Sequence, residues 1–287
     1  MTREEAARGE IVEVGRRLWA RGFVASNDGN ISVRIGDDRL LATPKSVSKG
    51  FMTPDMMVTT DLAGRKVGGD RDASSELKMH LAVYEARPDV HAVVHAHPPL
   101  ATGFAVAGIP LDRAVLAEVV TTLGSIPIAD YATPSTAELP QEVRKFITAH
   151  DGLLLANHGA LTVAGDLMAA YYKMETIEHF ARITLVTRIL GRERLLSREE
   201  VLRLQELRGS YGIAAPAPIC LDGSPATGPG GVAECQLVQA PAAPVPGQRL
   251  VEDGRLPGAL PSSADGEIRL TYRELAALIE DAVRSLR

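Results

Sequence analysis

The stretch HAVVHAH, residues 91–97, ends an apolar segment with two histidines that are two positions apart. Alternate residues of a β-strand point to the same face, so a strand here would present His95 and His97 side by side. Two imidazoles held in this way are suitable ligands for a divalent metal such as zinc. Such a pair alone is more typical of ordinary surface or core histidines than of a metal site.

Two further residues of suitable chemical type lie elsewhere in the chain. His158, in ANHGAL, follows an apolar strand and precedes a glycine turn, and Glu76, in SSEL, lies in the first turn of a predicted helix. Each also has an ordinary interpretation, since histidines are common beside turns and a glutamate at a helix start compensates the helix dipole. The four residues become informative only as a set.

The composition is that of an ordinary globular protein. Of the 287 residues, 45% are hydrophobic and 23% are charged, and the formal net charge of −5 argues against a nucleic-acid-binding protein. The two cysteines, Cys220 and Cys235, suit a reducing compartment without disulfides. The acidic, polar N-terminus is unlike a signal peptide, and no apolar run approaches the roughly 18 residues of a membrane span. The sequence therefore predicts a cytoplasmic protein without nucleic-acid or membrane partners.

Periodicity and end signals predict the elements that position these residues. A capping box of Thr2 and Glu5 begins a helix whose core-facing side is expected to include Ile11, Val12, Leu18 and Trp19. Strands are predicted at 29–34, 39–43, 56–61 and 91–97, and a strand, turn and strand at 152–163. Helices are predicted at 74–89, 101–108, 165–191 and 197–208, the last capped by Ser197.

The composition changes after Tyr211. Residues 213–248 contain seven prolines and only two charged residues, and such a segment buries too little apolar surface to offset its ordering entropy. The sequence predicts one domain over 1–212, a linker over 213–266 and an amphipathic helix over 267–287. A short helix is marginal alone, so its apolar stripe is expected to dock on its own domain or on a neighbouring subunit. A short amphipathic helix behind such a linker also resembles the peptides that direct enzymes to the shell proteins of bacterial microcompartments.

Six motifs together resemble the class II aldolase/adducin family, and within it the L-fuculose-phosphate aldolase-like enzymes. They are GNISVR (29–34), TPKSVSKG (43–50), SSE (74–76), VVHAH (93–97), NHG (157–159) and SYG (210–212). They occur in the family's order and cover residues 1–212. The resemblance implies an α/β fold, a three-layer α/β/α sandwich with a mainly antiparallel central sheet, and assembly as a homotetramer.

The resemblance also implies a role for each matching residue. His95, His97 and His158 are implied as ligands of one Zn²⁺ with an open coordination position, and Glu76 as the acid/base carboxylate beside it. In the family the metal is a Lewis acid that stabilises the enediolate formed when the C3–C4 bond of a ketose phosphate breaks. Tyr211 is implied near the leaving aldehyde, often across a subunit boundary. The implied phosphate-binding residues are Gly29, Asn30, Lys45, Ser46, Ser74 and Ser75.

Several residues depart from the family pattern or have a second interpretation. Lys45 and Ser46 replace the Thr-Gly or Ser-Gly of many members, and Pro134 replaces an aromatic residue. Glu118 lies in a region that lacks a tyrosine of the fuculose-phosphate enzyme, and is an extra carboxylate with a possible acid/base role. Ser74 could alternatively be only a helix N-cap.

The sequence therefore predicts a zinc-dependent aldolase. Its expected reaction is cleavage of a ketose 1-phosphate, similar to L-fuculose 1-phosphate, to dihydroxyacetone phosphate and a small aldehyde such as lactaldehyde. A pentulose-phosphate 4-epimerase is an alternative, although that branch tends to have Asp at the position of Glu76. A sugar-phosphate dehydratase is a third alternative, because Glu118 supplies an additional carboxylate for acid/base chemistry. The complete histidine set argues against a metal-free, adducin-like binding module.

Overall fold

The computed structural model describes residues 2–211, together with Ile213 and Ile219. The helix predicted at 267–287 lies outside the described residues, as does the linker predicted at 213–266 except for these two isoleucines. No helix among the described residues is long and apolar enough to cross a membrane.

The described residues form one eight-stranded sheet and seven α-helices. The strands are β1 (Asn30–Arg34), β2 (Arg39–Ala42), β3 (Val58–Asp61), β4 (Lys66–Gly68), β5 (Ala92–Ala96), β6 (Ile128–Ala129), β7 (Gly152–Leu155) and β8 (Gly159–Ala164). The helices are α1 (Arg3–Ala20), α2 (Leu77–Ala86), α3 (Pro99–Val106), α4 (Ala117–Thr122), α5 (Glu138–Ile147), α6 (Leu167–Ile189) and α7 (Arg198–Ser210).

The strand order is β4-β3-β2-β1-β5-β8-β7-β6. Neighbouring strands are antiparallel in every pair except β6 and β7, which run parallel. The predicted mainly antiparallel sheet is therefore confirmed. Strand β5 lies in the interior of the sheet between β1 and β8, so the histidine pair is carried by a strand that is hydrogen-bonded on both sides.

Helices cover both faces of the sheet. One buried cluster joins α1, α3 and α6 to one face, and a second joins α2 and α5 to the other. Alternation along β5 follows these layers, because Val94 and Ala96 belong to the first cluster and Val93 to the second. This arrangement confirms the three-layer α/β/α sandwich. His95 shares the face of Val93, and therefore points towards the layer that contains α2.

The predicted capping box of Thr2 and Glu5 is confirmed, and so is the predicted cap Ser197. The Glu5 amide donates to Thr2 Oγ1 over 3.1 Å, and the Thr2 amide donates back to the Glu5 carboxylate over 2.7 Å. Ser197 and Glu200 make the same reciprocal pair at the start of α7. These ends were predictable because the contacts are confined to four consecutive residues.

The core-facing side predicted for α1 is correct for Ile11 and Leu18, which are buried, and wrong for Trp19. Trp19 is 45% exposed and contacts the ring of Phe51 edge-to-face at a centroid distance of 5.2 Å. One residue along a helix rotates the side chain by about 100°, which places Trp19 at the edge of the side that buries Leu18.

Some predicted boundaries are wrong, and four elements were not predicted: β4, α4, β6 and α5. Helix α2 begins at Leu77 rather than at residue 74, because the Leu77 amide closes a turn on the Ser74 carbonyl over 3.1 Å. Residues 74–76 therefore form a turn at the site. Helix α5 has the spacing of an amphipathic helix, and Pro140 lies in its first turn, where a helix tolerates proline.

Candidate metal centre and active site

The fold brings His95, His97 and His158 together. Their ring centroids lie 4.7 to 5.1 Å apart, and one potential ligand atom from each residue lies within 4.8 Å of the others. His95 is fully buried, whereas His97 and His158 are partly exposed. The cluster therefore has a buried side and an accessible side, as a site for a reacting ligand requires.

Three backbone features position the cluster. His95 lies on β5, and His97 lies just past its end, where its amide donates to the Phe23 carbonyl over 2.8 Å. His158 comes from the turn between β7 and β8. Gly159 in that turn has no side chain to collide, whereas a Cβ there would lie 2.6 Å from both the Ala96 carbonyl oxygen and His97 Cδ2. The glycine thus allows the turn to approach the end of β5 closely.

The burial of His95 and His97 favours neutral rings, and a hydrogen bond fixes which nitrogen of His95 keeps a lone pair. His95 Nδ1 lies 2.9 Å from the Ala160 carbonyl and donates to it, which leaves Nε2 as a lone-pair atom. His95 Nε2 lies 3.1 Å from His97 Nε2. Burial lowers the pKa of His95 well below its ordinary value, and it also lowers the pKa of His97. Three imidazoles converging in this way fit a divalent cation with an open coordination position.

Glu76 lies against the histidine cluster. Its Oε1 is 3.2 Å from His158 Nε2, and its Oε2 is 3.5 Å from His95 Nε2. Asn30 Nδ2 donates to Oε2 over 2.7 Å. Burial of the carboxyl raises its pKa, but the contacts with His158, His95 and Asn30 outweigh this effect and hold the pKa of Glu76 below its ordinary value. Glu76 is therefore ionised at neutral pH, and it can accept a proton beside the candidate metal centre.

A cavity of about 280 Å³ lies beside Glu76. Two loops along its wall are joined by a β-bridge between Pro44 and Ala73, by the Lys45 amide donating to the Asp72 carbonyl and by the Ser74 amide donating to the Thr43 carbonyl. All six residues predicted to bind phosphate line this cavity: Gly29, Asn30, Lys45, Ser46, Ser74 and Ser75. Their amides, hydroxyls and ammonium group converge on one concavity, which is an arrangement that can hold an anion.

The backbone of this loop region shows the conformation of Ser46 and the role of Ser74. Ser46 has a φ of 58°, in the left-handed region that glycine adopts most readily, so a serine here retains a glycine-like conformation. Ser74 is not the N-cap of α2, because Glu76 holds that position. The Ser74 hydroxyl instead accepts a hydrogen bond from the Glu76 amide over 3.3 Å. Ser74 thus supports the turn that presents Glu76.

Sequence reasoning missed four polar residues that line the cavity: Asn27, Asp28, Lys49 and Ser135. Lys49 is only 2% exposed, and its Nζ donates to the Asn27 and Val47 carbonyls over 2.8 and 2.7 Å. Burial lowers its pKa to about 8. The only sequence signal was its position in TPKSVSKG, since a lysine by itself gives no indication of burial.

Asp28 and Ser135 contact predicted site residues directly. Asp28 Oδ2 lies 3.5 Å from His97 Nδ1, and the Ser135 hydroxyl donates to Ser75 Oγ over 2.9 Å. Asp28 was detectable as the neighbour of the GN turn. Ser135 was not, because it reaches Ser75 from a distant part of the chain.

Two predicted residues do not reach the cavity of their own chain. Tyr211 ends α7, is 66% exposed and does not line the cavity. Glu118 is exposed in the first turn of α4, and it also lies outside the cavity lining. The structure therefore gives Glu118 no contact with the candidate centre of the same subunit.

The sequence profile of the Class II Aldolase and Adducin N-terminal domain family matches residues 9–185. The chain belongs to this family. The matched region contains the three histidines, Glu76 and every residue named above as lining the cavity.

Proteins similar to this class II aldolase family member have different reactions in their names. A 3-oxo-tetronate 4-phosphate decarboxylase of Pectobacterium atrosepticum is 30% identical over 190 residues, which cover 65% of this chain and 87% of that protein. A methylthioribulose-1-phosphate dehydratase of Methylococcus capsulatus is 31% identical over 207 residues, covering 67% and 98%. The solved structure of an L-fuculose 1-phosphate aldolase superposes with a TM-score of 0.65 at 31% identity, covering 69% and 94%. This chain is an enzyme of the same superfamily.

Proposed function

We propose that this protein is a zinc-dependent aldolase that cleaves a ketose 1-phosphate to dihydroxyacetone phosphate and a small aldehyde. The expected substrate is similar to L-fuculose 1-phosphate, with lactaldehyde as the aldehyde. One observation carries the proposal: the ionised Glu76 contacts His95 and His158 at one end of a cavity whose wall carries six potential phosphate donors. A phosphorylated substrate held there has its reacting carbons beside a carboxylate and a metal centre.

Each group of residues has a defined task in this reaction. Ser74, Ser75 and the loop at Lys45 and Ser46 bind the phosphate and so fix the position of the carbon chain. In cleavage the ionised Glu76 takes the proton of the C4 hydroxyl as the C3–C4 bond breaks to give the aldehyde, and then gives that proton to C3 of the dihydroxyacetone phosphate half. The condensation direction reverses these two transfers. Zinc bound by the three histidines supplies a Lewis acid for the substrate carbonyl.

Zinc is the metal that the donor set favours. Three imidazole nitrogens with an open fourth position are a ligand set of catalytic zinc sites, and imidazole also suits other late divalent metals. The partly exposed faces of His97 and His158 leave the approach from the cavity available to substrate.

A decarboxylase acting on a phosphorylated 3-oxo acid is the second candidate. Loss of carbon dioxide from such an acid and cleavage of a ketose phosphate both leave electron density next to a carbonyl group, so the same centre suits both. The buried ammonium of Lys49 favours this candidate, because it is a fixed cation in the cavity wall that can pair with a substrate carboxylate.

A substrate panel decides between these candidates. The zinc-loaded protein is assayed with ketose 1-phosphates, pentulose 5-phosphates and 3-oxo-tetronate 4-phosphate, and both dihydroxyacetone phosphate and carbon dioxide are measured. Aldolase activity predicts dihydroxyacetone phosphate from a ketose 1-phosphate, and loss of that activity after treatment with a chelator. Carbon dioxide release from the 3-oxo acid, without cleavage of any ketose phosphate, would establish the second candidate instead.

We also propose that the enzyme is a homotetramer in which Tyr211 acts at the cavity of a neighbouring subunit, near the departing aldehyde. Its exposed position at the end of α7 supports a role outside its own cavity. Co-expression of Tyr211→Phe with Glu76→Gln tests this. Mixed oligomers that recover activity from two impaired parents would support an intersubunit site, whereas no recovery would oppose it.

A further inference from the structure

A chain of buried polar side chains lies behind the Glu76 carboxylate. It starts at Asn30, which donates to Glu76, and continues through His80 and Ser32 to Tyr84. All four residues are buried between α2 and the sheet. His80, Ser32 and Tyr84 do not line the cavity and are not candidate metal ligands. Their burial as polar residues in this layer therefore needs another explanation.

The contacts in this chain are short and continuous. His80 Nε2 lies 2.5 Å from Asn30 Oδ1, and His80 Nδ1 lies 2.7 Å from Ser32 Oγ. The Tyr84 hydroxyl lies 2.9 Å from both Ser32 Oγ and the Ser32 carbonyl oxygen. Glu76 is the N-cap of α2 and His80 lies four residues later, about one helical turn further along.

One placement of protons satisfies the contacts of Glu76, Asn30 and His80. The Glu76 carboxylate can only accept, so Asn30 must turn Nδ2 towards it and Oδ1 towards His80. Burial lowers the pKa of His80 to about 4, so its neutral ring carries a single N–H. That N–H must be on Nε2 to donate to Asn30, and Nδ1 then accepts from the Ser32 hydroxyl. The single proton of the Tyr84 hydroxyl is then shared between Ser32 Oγ and the Ser32 carbonyl oxygen, and this contact completes the chain.

We propose that His80 is a positioning residue for the acid/base group, because its hydrogen bond to Asn30 Oδ1 holds the amide with Nδ2 on the Glu76 carboxylate. The flipped amide would place Oδ1 against that carboxylate and Nδ2 against the Nε2–H of His80, so both hydrogen bonds would become repulsive contacts. His80 thereby fixes Glu76 beside His95 and His158. This inference rests on the proposed function, since it concerns proton transfer by Glu76.

A positioning role and a merely structural role predict different kinetics. Misplacement of the carboxylate lowers kcat, whereas KM is expected to change little, because Asn30 is the one predicted phosphate-binding residue to which His80 is hydrogen-bonded. We expect His80→Phe to lower kcat by about 10- to 100-fold with KM nearly unchanged. His80→Gln restores a donor near the position of Nε2, and is expected to recover most of kcat. Zinc content and melting temperature are measured for each variant, so that only folded, metal-loaded enzyme is compared.

A second measurement, the NMR signal of the Asn30 side-chain NH₂ group, reports on this amide directly and does not depend on turnover. The chain contains three asparagines, Asn27, Asn30 and Asn157, so ¹⁵N-labelling of asparagine side chains yields three NH₂ signals. The Asn30 signal is assigned by its loss in Asn30→Asp. We expect it to shift in His80→Phe and to return in His80→Gln.

These two readouts separate the possible failures. An unchanged Asn30 signal in His80→Phe, or a kcat within about twofold of wild type, overturns the positioning role. A wild-type enzyme that is inactive on the whole substrate panel overturns the proposed function, and the Asn30 signal then decides the positioning role alone.

If His80→Phe does not fold, Ser32→Ala replaces it, because loss of the donor to Nδ1 allows the ring to move its proton away from Asn30. A folded Ser32→Ala with wild-type signal and kcat also overturns the proposal.

Discussion

The three histidines differ in burial and in hydrogen bonding. Alanine variants of His95 and His158 are therefore expected to differ in stability. His95 is fully buried and hydrogen-bonded to Ala160, so His95→Ala leaves a cavity in the sheet layer and lowers stability by about 2 kcal/mol. His158 extends from a turn, and its removal is expected to leave stability nearly unchanged. Both variants are expected to lose bound zinc and nearly all activity, because two ligands do not retain the ion.

Metal content by elemental analysis and urea unfolding test this prediction. The exposed His179→Ala on α6 is the matched control, and is expected to keep both metal and turnover. Stoichiometric zinc with normal turnover in His95→Ala or His158→Ala would contradict the assignment of these ligands.

Glu76→Gln is expected to separate metal binding from proton transfer. The amide keeps the shape of the side chain but cannot accept the proton, so turnover should fall by about 10²- to 10⁴-fold while zinc remains bound. Deuterium incorporation at C3 of dihydroxyacetone phosphate should fall in parallel. Glu118→Gln is the control, and its exposed position outside the cavity predicts wild-type exchange. Normal exchange in Glu76→Gln, with loss in Glu118→Gln, would transfer the acid/base role to Glu118.

At the scale of elements, the close approach of the β7–β8 turn to the end of β5 determines the geometry of the metal centre. Gly159→Ala would place a methyl group 2.6 Å from the Ala96 carbonyl and from the His97 ring, so one of them must move. We expect zinc affinity to fall by about 10- to 100-fold and stability to fall by about 1 to 3 kcal/mol.

Gly103→Ala is a matched control for that substitution. Gly103 lies within α3, and a Cβ there has no neighbour within 4 Å. Alanine is a better helix former than glycine, so this variant is expected to gain about 0.5 to 1 kcal/mol and to keep its zinc affinity. Zinc titration and thermal unfolding compare the two variants. Equal zinc affinity in both would show that the turn does not constrain His97.

At the scale of the whole molecule, buried histidines predict a loss of stability in acid. His150 is fully buried beside the Ser125 carbonyl, and burial lowers its pKa from 6.5 to about 4. Between these two values the unfolded chain takes up a proton that the folded protein refuses, so stability falls as the pH decreases. The contribution of His150 to this loss is about 2 kcal/mol by pH 5.

Urea unfolding at pH 7.5 and pH 5 measures this contribution. His150→Gln lowers stability at both pH values, but its loss between them should be smaller than that of the wild type by about 2 kcal/mol. Identical losses in the two proteins would assign the acid sensitivity to other groups, of which His80 has the same lowered pKa of about 4.

The folded unit includes a residue beyond the predicted domain boundary at 212. Ile219 is buried against Ala114, Val120 and Val201. Truncation after Gly212 removes this contact, and is expected to lower stability by about 2 to 4 kcal/mol, whereas truncation after Asp222 retains it. Thermal unfolding of the two truncated chains tests this, and equal melting temperatures would contradict it.

Truncation after Asp222 also provides a clean test of the amphipathic helix predicted at 267–287. If this helix binds the shell of a microcompartment, its removal leaves the melting temperature unchanged, and a fluorescent protein fused to residues 249–287 gathers on co-expressed shells. If it docks on its own domain or tetramer, the melting temperature falls and the fusion stays diffuse.

The sequence by itself determined the features that depend on a few consecutive residues. The spacing of His95 and His97 follows from the two-residue period of a strand, and the capping box at Thr2 and the cap at Ser197 each close within four residues. The six linked motifs extended this to the family, the layer architecture and the identities of the candidate ligands. Each of these features is encoded in residue types and their separation along the chain.

Only the tertiary structure decided which polar groups are buried and which distant groups meet. It buried Lys49, exposed Trp19, joined Ser135 to Ser75 and linked His80 to Glu76 through Asn30. It also excluded Glu118 and Tyr211 from the cavity of their own subunit. The burial of a side chain and the pKa that follows from it depend on neighbours contributed by other elements, and these neighbours are set by the packing of helices on the sheet rather than by local spacing.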